Sequence, residues 1–553
     1  MKKLWALLAA VSMLAACTAL PSEGPVHATR APSDATRNVG LHANGPSEGA
    51  TPEEIVQGFL TASGAGPSND FAVARQFLSQ EASANWRPLT EVRIYSDSRV
   101  PVTTRTETQG VRLSLGSEGS LDEDGRFTSS SRDAVITTDF SLARNSDGEW
   151  RIIDLEDGLL ISATLFDSQY AKSELYFLTS DSRYLVADIR WFPRNTYATS
   201  AAIELFAGPA PWLASAVHTA IPPNTTIGTR GISIDNGLAT VSLSEEALSV
   251  TGYQRILFEA QVEETLTMLS NVQDVELTID GAPWQISSGS APSTYPFTDS
   301  RTLVLVAGQP SLFRDGTSVG LNMASTPENL HSLAMGYGED PLMVGISGNR
   351  LVTLPNDGTA SRTLYEGPEL IPPSVDIYDW VWSGRSNGGG TITVADPEGE
   401  TIDISVPWLE DGLIDSIHVS REGARAVIVW QTETTTYLTA VAIVRDGEGR
   451  PISLGEPFEL GSTIDSVTDV AWIDETTVAA LATLTGSNSP AIYSIPIGGP
   501  IHTITEANGA THITAGNGED SIIVATENGQ ILERSGGGWK LLLTDGSDPA
   551  LAG

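Results

Sequence analysis

Ser332-Leu333-Ala334-Met335-Gly336, Asp379-Trp380-Val381-Trp382-Ser383, Asp415-Ser416-Ile417-His418-Val419-Ser420, Asp469-Val470-Ala471-Trp472-Ile473 and Thr511-His512-Ile513-Thr514-Ala515-Gly516 are five versions of one short strand-like segment. Counted from Leu333, the steps to Val381, Ile417, Val470 and Ile513 are 48, 36, 53 and 43 residues. A recurrence of about 40–50 residues is the length of one β-propeller blade. Each segment is followed by further strands. Thr391–Ala395 and Thr401–Val406 flank the turn Asp396-Pro397-Glu398-Gly399, and Ser521–Ala525 and Gln530–Arg534 flank Asn528-Gly529. Residues 301–553 therefore read as an all-β propeller of five or six blades, with two packed sandwiches as the alternative. The blade holding Val381 is short of one strand. Leu303–Phe313 either closes the ring or begins a sixth blade.

Upstream, residues 287–300 form a Ser/Pro/Gly-rich linker. Residues 174–286 mix strands and helices. Leu175–Leu178 opens a strand, and Ser200–Phe206 is helical up to Gly208-Pro209. Ala239, Val241 and Leu243 alternate with polar residues, as do Val275, Leu277 and Ile279, the period of half-buried strands. Between them Phe258, Val262, Leu266 and Leu269 share a helical stripe. Glu259 and Glu263 lie to one side, and Ile256, Leu257 and Ala260 call for cover on a second side. Ser244, before Glu245-Glu246, reads as a cap and not a nucleophile, since no histidine is near.

Residues 51–170 are a third α+β unit. Thr51-Pro52-Glu53-Glu54 has the layout of a capping box with proline at the first helical position, ahead of Ile55, Val56, Phe59 and Leu60. A second helix is expected from Ser68-Asn69-Asp70, carrying Phe71, Ala74, Phe77 and Leu78. A period-2 run through Ile136, Thr138, Phe140 and Leu142 then turns at Asp147-Gly148 into Trp150–Leu155. Asp122-Glu123-Asp124-Gly125 and Asn145-Ser146-Asp147-Gly148 lack the further oxygen ligands of a calcium loop and read as hairpin turns.

At the start, Lys2-Lys3 precede an apolar run to Leu14 and then Leu14-Ala15-Ala16-Cys17, where Cys17 is the sole cysteine. The run is too short to span a bilayer, which takes about 20 apolar residues. The stretch resembles the bacterial lipobox. That resemblance implies a signal peptide over 1–16, a diacylglycerol on the Cys17 thiol, and a mature chain held by lipid at the extracytoplasmic face of the cytoplasmic membrane. Residues 17–50, rich in Pro, Ser, Gly and Ala, read as the lipidated cysteine and a flexible tether.

The chain carries 69 acidic against 31 basic residues, a net charge of −38, and only four of its basic residues are lysines. Such a surface repels nucleic acid, which is excluded as a partner. With one cysteine no disulfide framework exists, and each domain stands on packing. No His-Glu-x-x-His helix, Gly-x-Ser-x-Gly elbow or phosphate loop occurs; Ser386–Gly390 and Ser535–Gly538 are glycine-rich loops without the Lys-Ser/Thr of a phosphate site. Seven histidines, at 27, 42, 218, 331, 418, 502 and 512, form no ligand spacing; His27 and His42 fall in the tether, while His418 and His512 sit in the recurring strand, buried or facing a channel. Trp380, Trp382, Trp408, Trp430, Trp472 and Trp539 suit packing between blades more than sugar stacking. No catalytic, cofactor-binding or metal-ligating residue is assigned, and Cys17 is the one site residue.

Residues 51–170 are similar to the NTF2-like fold. In 174–286 the order helix, Gly208-Pro209, Ile221-Pro222-Pro223-Asn224-Thr225, Val241-Ser242-Leu243-Ser244, Gln261 through Thr265-Leu266, and Val275 through Asp280-Gly281 resembles the GerMN domain of spore-germination proteins and actinobacterial lipoproteins. Lipobox, α+β domain, GerMN domain and propeller together resemble the actinobacterial LpqB lipoprotein family, with Phe77-Leu78 and Trp86-Arg87-Pro88 fitting as well. The resemblance implies a non-catalytic accessory role toward the extracytoplasmic domain of a sensor histidine kinase, of the MtrAB two-component system, in envelope homeostasis. The competing class is an envelope enzyme or carbohydrate-binding protein acting on peptidoglycan or related glycans through the propeller.

Overall fold

The computed structural model describes residues 43–65, 70–107, 110–131, 133–284, 289–294, 301–461, 463–487 and 489–552. Cys17, the tether histidines His27 and His42, the expected helix start at Ser68-Asn69 and parts of the 287–300 linker lie outside them.

The first helix, Pro52–Gly64, starts on the capping box read from sequence. Thr51 Oγ1 accepts from the Glu54 N–H at 3.3 Å, and the Glu54 carboxylate accepts from the Thr51 N–H at 2.8 Å. Its buried face is Ile55, Val56 and Phe59. The expected second helix is only one turn, Ala72–Arg75. Phe71 takes a left-handed conformation, φ +56°, with its ring edge-on to Trp86 at 5.7 Å, so burial of the ring overrides the backbone preference. Phe77 and Leu78 leave the helix and run beside the Trp150–Asp154 strand, where the Ile152 N–H donates to Phe77 O at 2.9 Å. The sheet orders Trp150–Asp154, Val135–Arg144, Val111–Asp122, Glu91–Tyr95 and Leu159–Ser162, the last pair parallel. Its buried side chains and the helices share one core.

Asp122–Gly125 and Asn145–Gly148 are hairpin turns, as read from the sequence. Asp122 Oδ1 accepts from the N–H groups of Asp124 and Arg126, and Asn145 Oδ1 accepts from Asp147 and Glu149. The same Asp-x-x-Gly device recurs at Asp396 and Asp446, whose carboxylates accept from Glu400 and Arg450. A short polar side chain bonding its own backbone turns the chain without help from packing.

The second unit holds two four-stranded sheets with helices Tyr197–Ala207 and Tyr253–Thr267 against them. Tyr253–Thr267 is buried on more than one side, through Phe258 and Val262 and also through Leu257 and Ala260. Ser244 does not cap the following turn; its Oγ accepts from the Thr226 N–H at 3.0 Å. Ser293–Thr294, inside the expected linker, pairs in parallel with Tyr184–Leu185.

The propeller has six blades among the described residues. Thr302–Val306, Gln309–Arg314 and Thr317–Gly320 form a sheet whose innermost strand is the C-terminal Gly546–Ala550, so the chain end closes the ring. The other inner strands are Leu330–Met335, Ser374–Val375, Leu413–Val419, Ile464–Trp472 and Ala510–Ala515. The blade expected to lack a strand is complete. Val381 lies on its second strand, and the inner one is the two-residue Ser374–Val375. With Val375 in place of Val381, the uneven steps of 48 and 36 become 42 and 42. The short strand carries too little pattern to be read alone.

Candidate functional site

The recurring strands put their polar residues on the propeller axis. His418, Asp469, His512, Thr514, Ser332 and Asp548 line a cavity of about 90 Å³. That is small beside the roughly 300–1,000 Å³ of pockets that enclose small-molecule ligands. His418 Nε2 lies 3.7 Å from Asp469 Oδ1, and His512 Nε2 lies 3.9 Å from Asp548 Oδ1. Burial holds the His418 imidazole below its ordinary pKa, with Asp469 opposing. Burial likewise raises the Asp469 carboxyl, with His418 opposing.

These groups mainly fasten one blade to the next. Asp469 Oδ2 accepts from the Ile513 N–H at 2.9 Å, Asp548 Oδ1 from Ser332 at 2.7 Å, Ser374 Oγ from Val419 at 3.0 Å, and Thr514 Oγ1 from Leu551 at 3.1 Å. Trp472 Nε1 donates to His418 O at 3.0 Å. Five of the six seams between inner strands thus carry a bond from a side chain to the neighbouring main chain. His418 and His512, read as buried or channel residues, lie on the axis. His331 and His502 are exposed, and His218 pairs with Ser182 in the second unit at 3.2 Å. Trp382 is fully buried, its Nε1 donating to Asp376 at 2.8 Å, and Trp408, Trp430 and Tyr437 pack in series. The tryptophans serve packing. Among the described residues no group of His, Cys, Asp and Glu is arranged to hold a metal ion.

What the sequence does not announce is the junction between the second unit and the propeller. Arg425, 1% exposed, pairs with Glu422 at 2.8 Å and donates to Ala187 O at 2.9 Å and Glu475 O at 2.6 Å. Lys172 Nζ lies 2.8 Å from Glu174 Oε1 and 3.2 Å from Thr476 Oγ1. Burial opposes the lysine charge, but Glu174, Asp474 and Glu475 outweigh it and raise its pKa. Tyr378 donates to Asp181 at 3.0 Å, Trp191 Nε1 to Gly498 O at 2.8 Å, and Trp212 stacks on Phe458 at 5.4 Å. Val186, Leu213 and Ala216 share an apolar cluster with Ala424 and Ala442. The first unit is tied in through Arg190, fully buried, which pairs with Asp188 and donates to Asp124 O at 3.1 Å. Gly125, at φ +77°, lets the Trp191 backbone close to 2.8 Å, where a Cβ would strike the Trp191 carbonyl.

Three domains in this order, fastened by buried polar contacts and closed by a propeller, define a class of multidomain β-propeller protein, and the comparisons agree. Residues 45–167 match the family described as "Lipoprotein LpqB, N-terminal domain", 174–285 match "Sporulation and spore germination", and 323–552 match "Lipoprotein LpqB beta-propeller domain". The chain is 25% identical to Lipoprotein LpqB of Bifidobacterium longum, over 88% of this chain and 86% of that one. It is 26% identical to Lipoprotein LpqB of Mycobacterium tuberculosis, over 85% and 84%. The first GerMN domain of the sporulation protein GerM from Bacillus subtilis is 24% identical, covering 22% of this chain and 92% of that one, with a TM-score of 0.19. The chain belongs to the LpqB lipoprotein family. Among the described residues no helix is long and apolar enough to cross a membrane.

Proposed function

We propose that this protein is a non-catalytic accessory of a sensor histidine kinase, of MtrAB type, in cell-envelope homeostasis. Lipid on Cys17 holds it at the extracytoplasmic face of the cytoplasmic membrane, and it docks on the kinase's extracytoplasmic domain. The observation that carries this reading is the buried junction. Arg425, Glu475, Tyr176 and Lys172 fix the second unit on the propeller, so a partner meets one composite surface and not two independent modules. Anchoring both proteins in one membrane raises their effective concentration, so a modest intrinsic affinity suffices. The axis, where propeller chemistry would be sought, is narrow, and Ser332, Asp469, Thr514 and Asp548 there are engaged in bonds between blades.

The test uses the full chain in neutral-lipid nanodiscs. It is reconstituted together with the membrane-embedded kinase and, separately, mixed with peptidoglycan fragments. Contact with the kinase's extracytoplasmic domain in the shared membrane, without release of sugar or peptide products, is expected. Product release that stops on heat inactivation, or no kinase contact in the shared membrane, overturns the reading.

A further inference from the structure

Ser182 and His218 meet where the Tyr170–Thr179 strand turns into Tyr184–Pro193, at a turn that touches the propeller through Ser180 and Asp181. Ser182 Oγ lies 3.2 Å from His218 Nε2, within the reach that links a nucleophile to its base. Chain order hides the pair. The two are 36 residues apart, and His218 belongs to the two-residue strand Val217–His218, which pairs with Leu178 and Thr179.

Three properties set this serine apart. The first is its backbone. The Ser182 N–H donates to Thr179 O at 2.8 Å, the same bond that closes the turns at Asp122, Asn145, Asp396 and Asp446. In those four the donor is a glycine at positive φ: Gly125, Gly148, Gly399 and Gly449. Here a serine takes that place at φ +59°, in the left-handed region that serine seldom adopts. Glycine would suit the turn better, so the hydroxyl is kept against the backbone preference. The second property is the base. Burial lowers the His218 pKa, with Asp181 and the Thr179 carbonyl opposing, so the imidazole is neutral at neutral pH and able to take a proton. Asp181 is itself fixed, accepting from Thr179 Oγ1 at 2.7 Å, the Arg183 N–H at 3.0 Å and the Tyr378 hydroxyl at 3.0 Å. The third property is access. Ser182 and His218 are only half-buried, and Arg183 and Thr219 next to them are exposed.

The turn offers no main-chain cradle for an oxyanion. The Ser182 N–H is taken by Thr179 O and the Arg183 N–H by Asp181 Oδ1. Loss of one such donor slows acyl transfer roughly 10²–10³-fold. A serine with a base but without these donors is suited to a single modification and not to turnover, in keeping with a non-catalytic chain.

We propose that Ser182 is an acylation site, with His218 as the base that activates its hydroxyl. Ser182 Oγ attacks the carbonyl carbon of an acyl ester. The Oγ–acyl bond forms, the ester C–O bond breaks, and the leaving oxygen departs with the electron pair. The serine proton passes to His218 Nε2 and from there to the leaving group. The product is an O-acyl serine, and the step needs no kinase.

The test treats the full chain in neutral detergent with p-nitrophenyl acetate. Absorbance follows p-nitrophenolate, and peptide mass mapping locates the acetyl group. A burst of one equivalent with acetyl on Ser182 is expected. Ser182→Gly, which fits the positive φ and should melt no lower than wild type, loses that burst. His218→Gln, shown to be folded by its circular dichroism, slows it at least tenfold, while His502→Gln at an exposed propeller histidine leaves it unchanged. In the wild type the burst should slow as pH falls from about 7 to about 5, and His218→Gln should lack that dependence. Of His218, Asp181, Arg183, Tyr184, Tyr378 and Asp446, the titratable groups around the turn, only histidine has an ordinary pKa within that range. Absence of acetyl on Ser182, an equal rate or equal pH dependence in His218→Gln, or release that continues at the burst rate past one equivalent overturns the assignment.

Discussion

The phenolic oxygen of Tyr176 donates a 2.8 Å hydrogen bond to Glu475 Oε1, 299 positions along the chain and in another domain. Burial, then Glu174 and Glu475, push the Tyr176 hydroxyl well above its usual range, so it stays protonated and available as the donor. Lys172 and Thr476 complete the cluster on the Glu174 side. Charges this deep are costly to leave unpaired, so the contact forces the two domains into a single relative placement.

Loss of one member should therefore be felt by both domains. Tyr176→Phe should cost about 1–3 kcal/mol, the penalty for leaving a buried acceptor short of its donor. Arg425→Ala should cost about 3–5 kcal/mol, because it leaves Glu422 buried without its cation. Urea unfolding of each variant measures this, and a loss under about 0.5 kcal/mol for Arg425→Ala contradicts the buried-pair argument.

The closing strand gives a second prediction. Asp548→Ala removes the acceptor for the Ser332 N–H and the partner of His512, at a seam between the chain end and the next blade. A loss of about 1–3 kcal/mol is expected in urea unfolding. A variant as stable as wild type means the seam bonds do not hold the ring.

How far sequence carried can be judged from three places. Thr51–Glu54 was legible because a cap is local: both partners lie within one turn. The inner strand at Ser374–Val375 was not, because two residues hold no period, and the stronger Val381 run drew the assignment away. Gly546–Ala550, with the sequence Gly-Ser-Asp-Pro-Ala, has almost no strand propensity; ring closure makes it a strand. The candidate site divided the same way. His418 and His512 fall on the recurring strand by spacing alone, whereas Arg425 and Glu475 carry no local signal, because their partners come from distant parts of the chain.

The axis predicts a pH response. His418 binds its proton less tightly folded than unfolded, burial being the main cause and Asp469 opposing it. On acidification the unfolded chain takes up that proton first. The contribution is fully present above about pH 6.5 and is lost as pH falls from there through the lower folded value. His218 runs the same way, lowered by burial with Asp181 opposing. Melting temperature should fall between about pH 7.5 and about pH 5.5, and His418→Gln should reduce that fall. A fall of the same size in the variant contradicts the assignment to His418.

Cys17→Ala should abolish incorporation of a fatty-acid analogue and release the chain from the membrane fraction. Retention of the variant on membranes lacking its partner contradicts lipid anchoring at Cys17.

The central claim is that the second unit and the propeller form one interlocked body, and a single cut tests it. A protease site placed between Trp284 and Arg301 of the full chain severs the covalent link while leaving the Tyr176–Glu475 and Arg425–Ala187 contacts in place. After cleavage, gel filtration in neutral detergent should show both fragments co-eluting at the size of the intact protein, and separating only in denaturant. Two fragments that part under native conditions would contradict it.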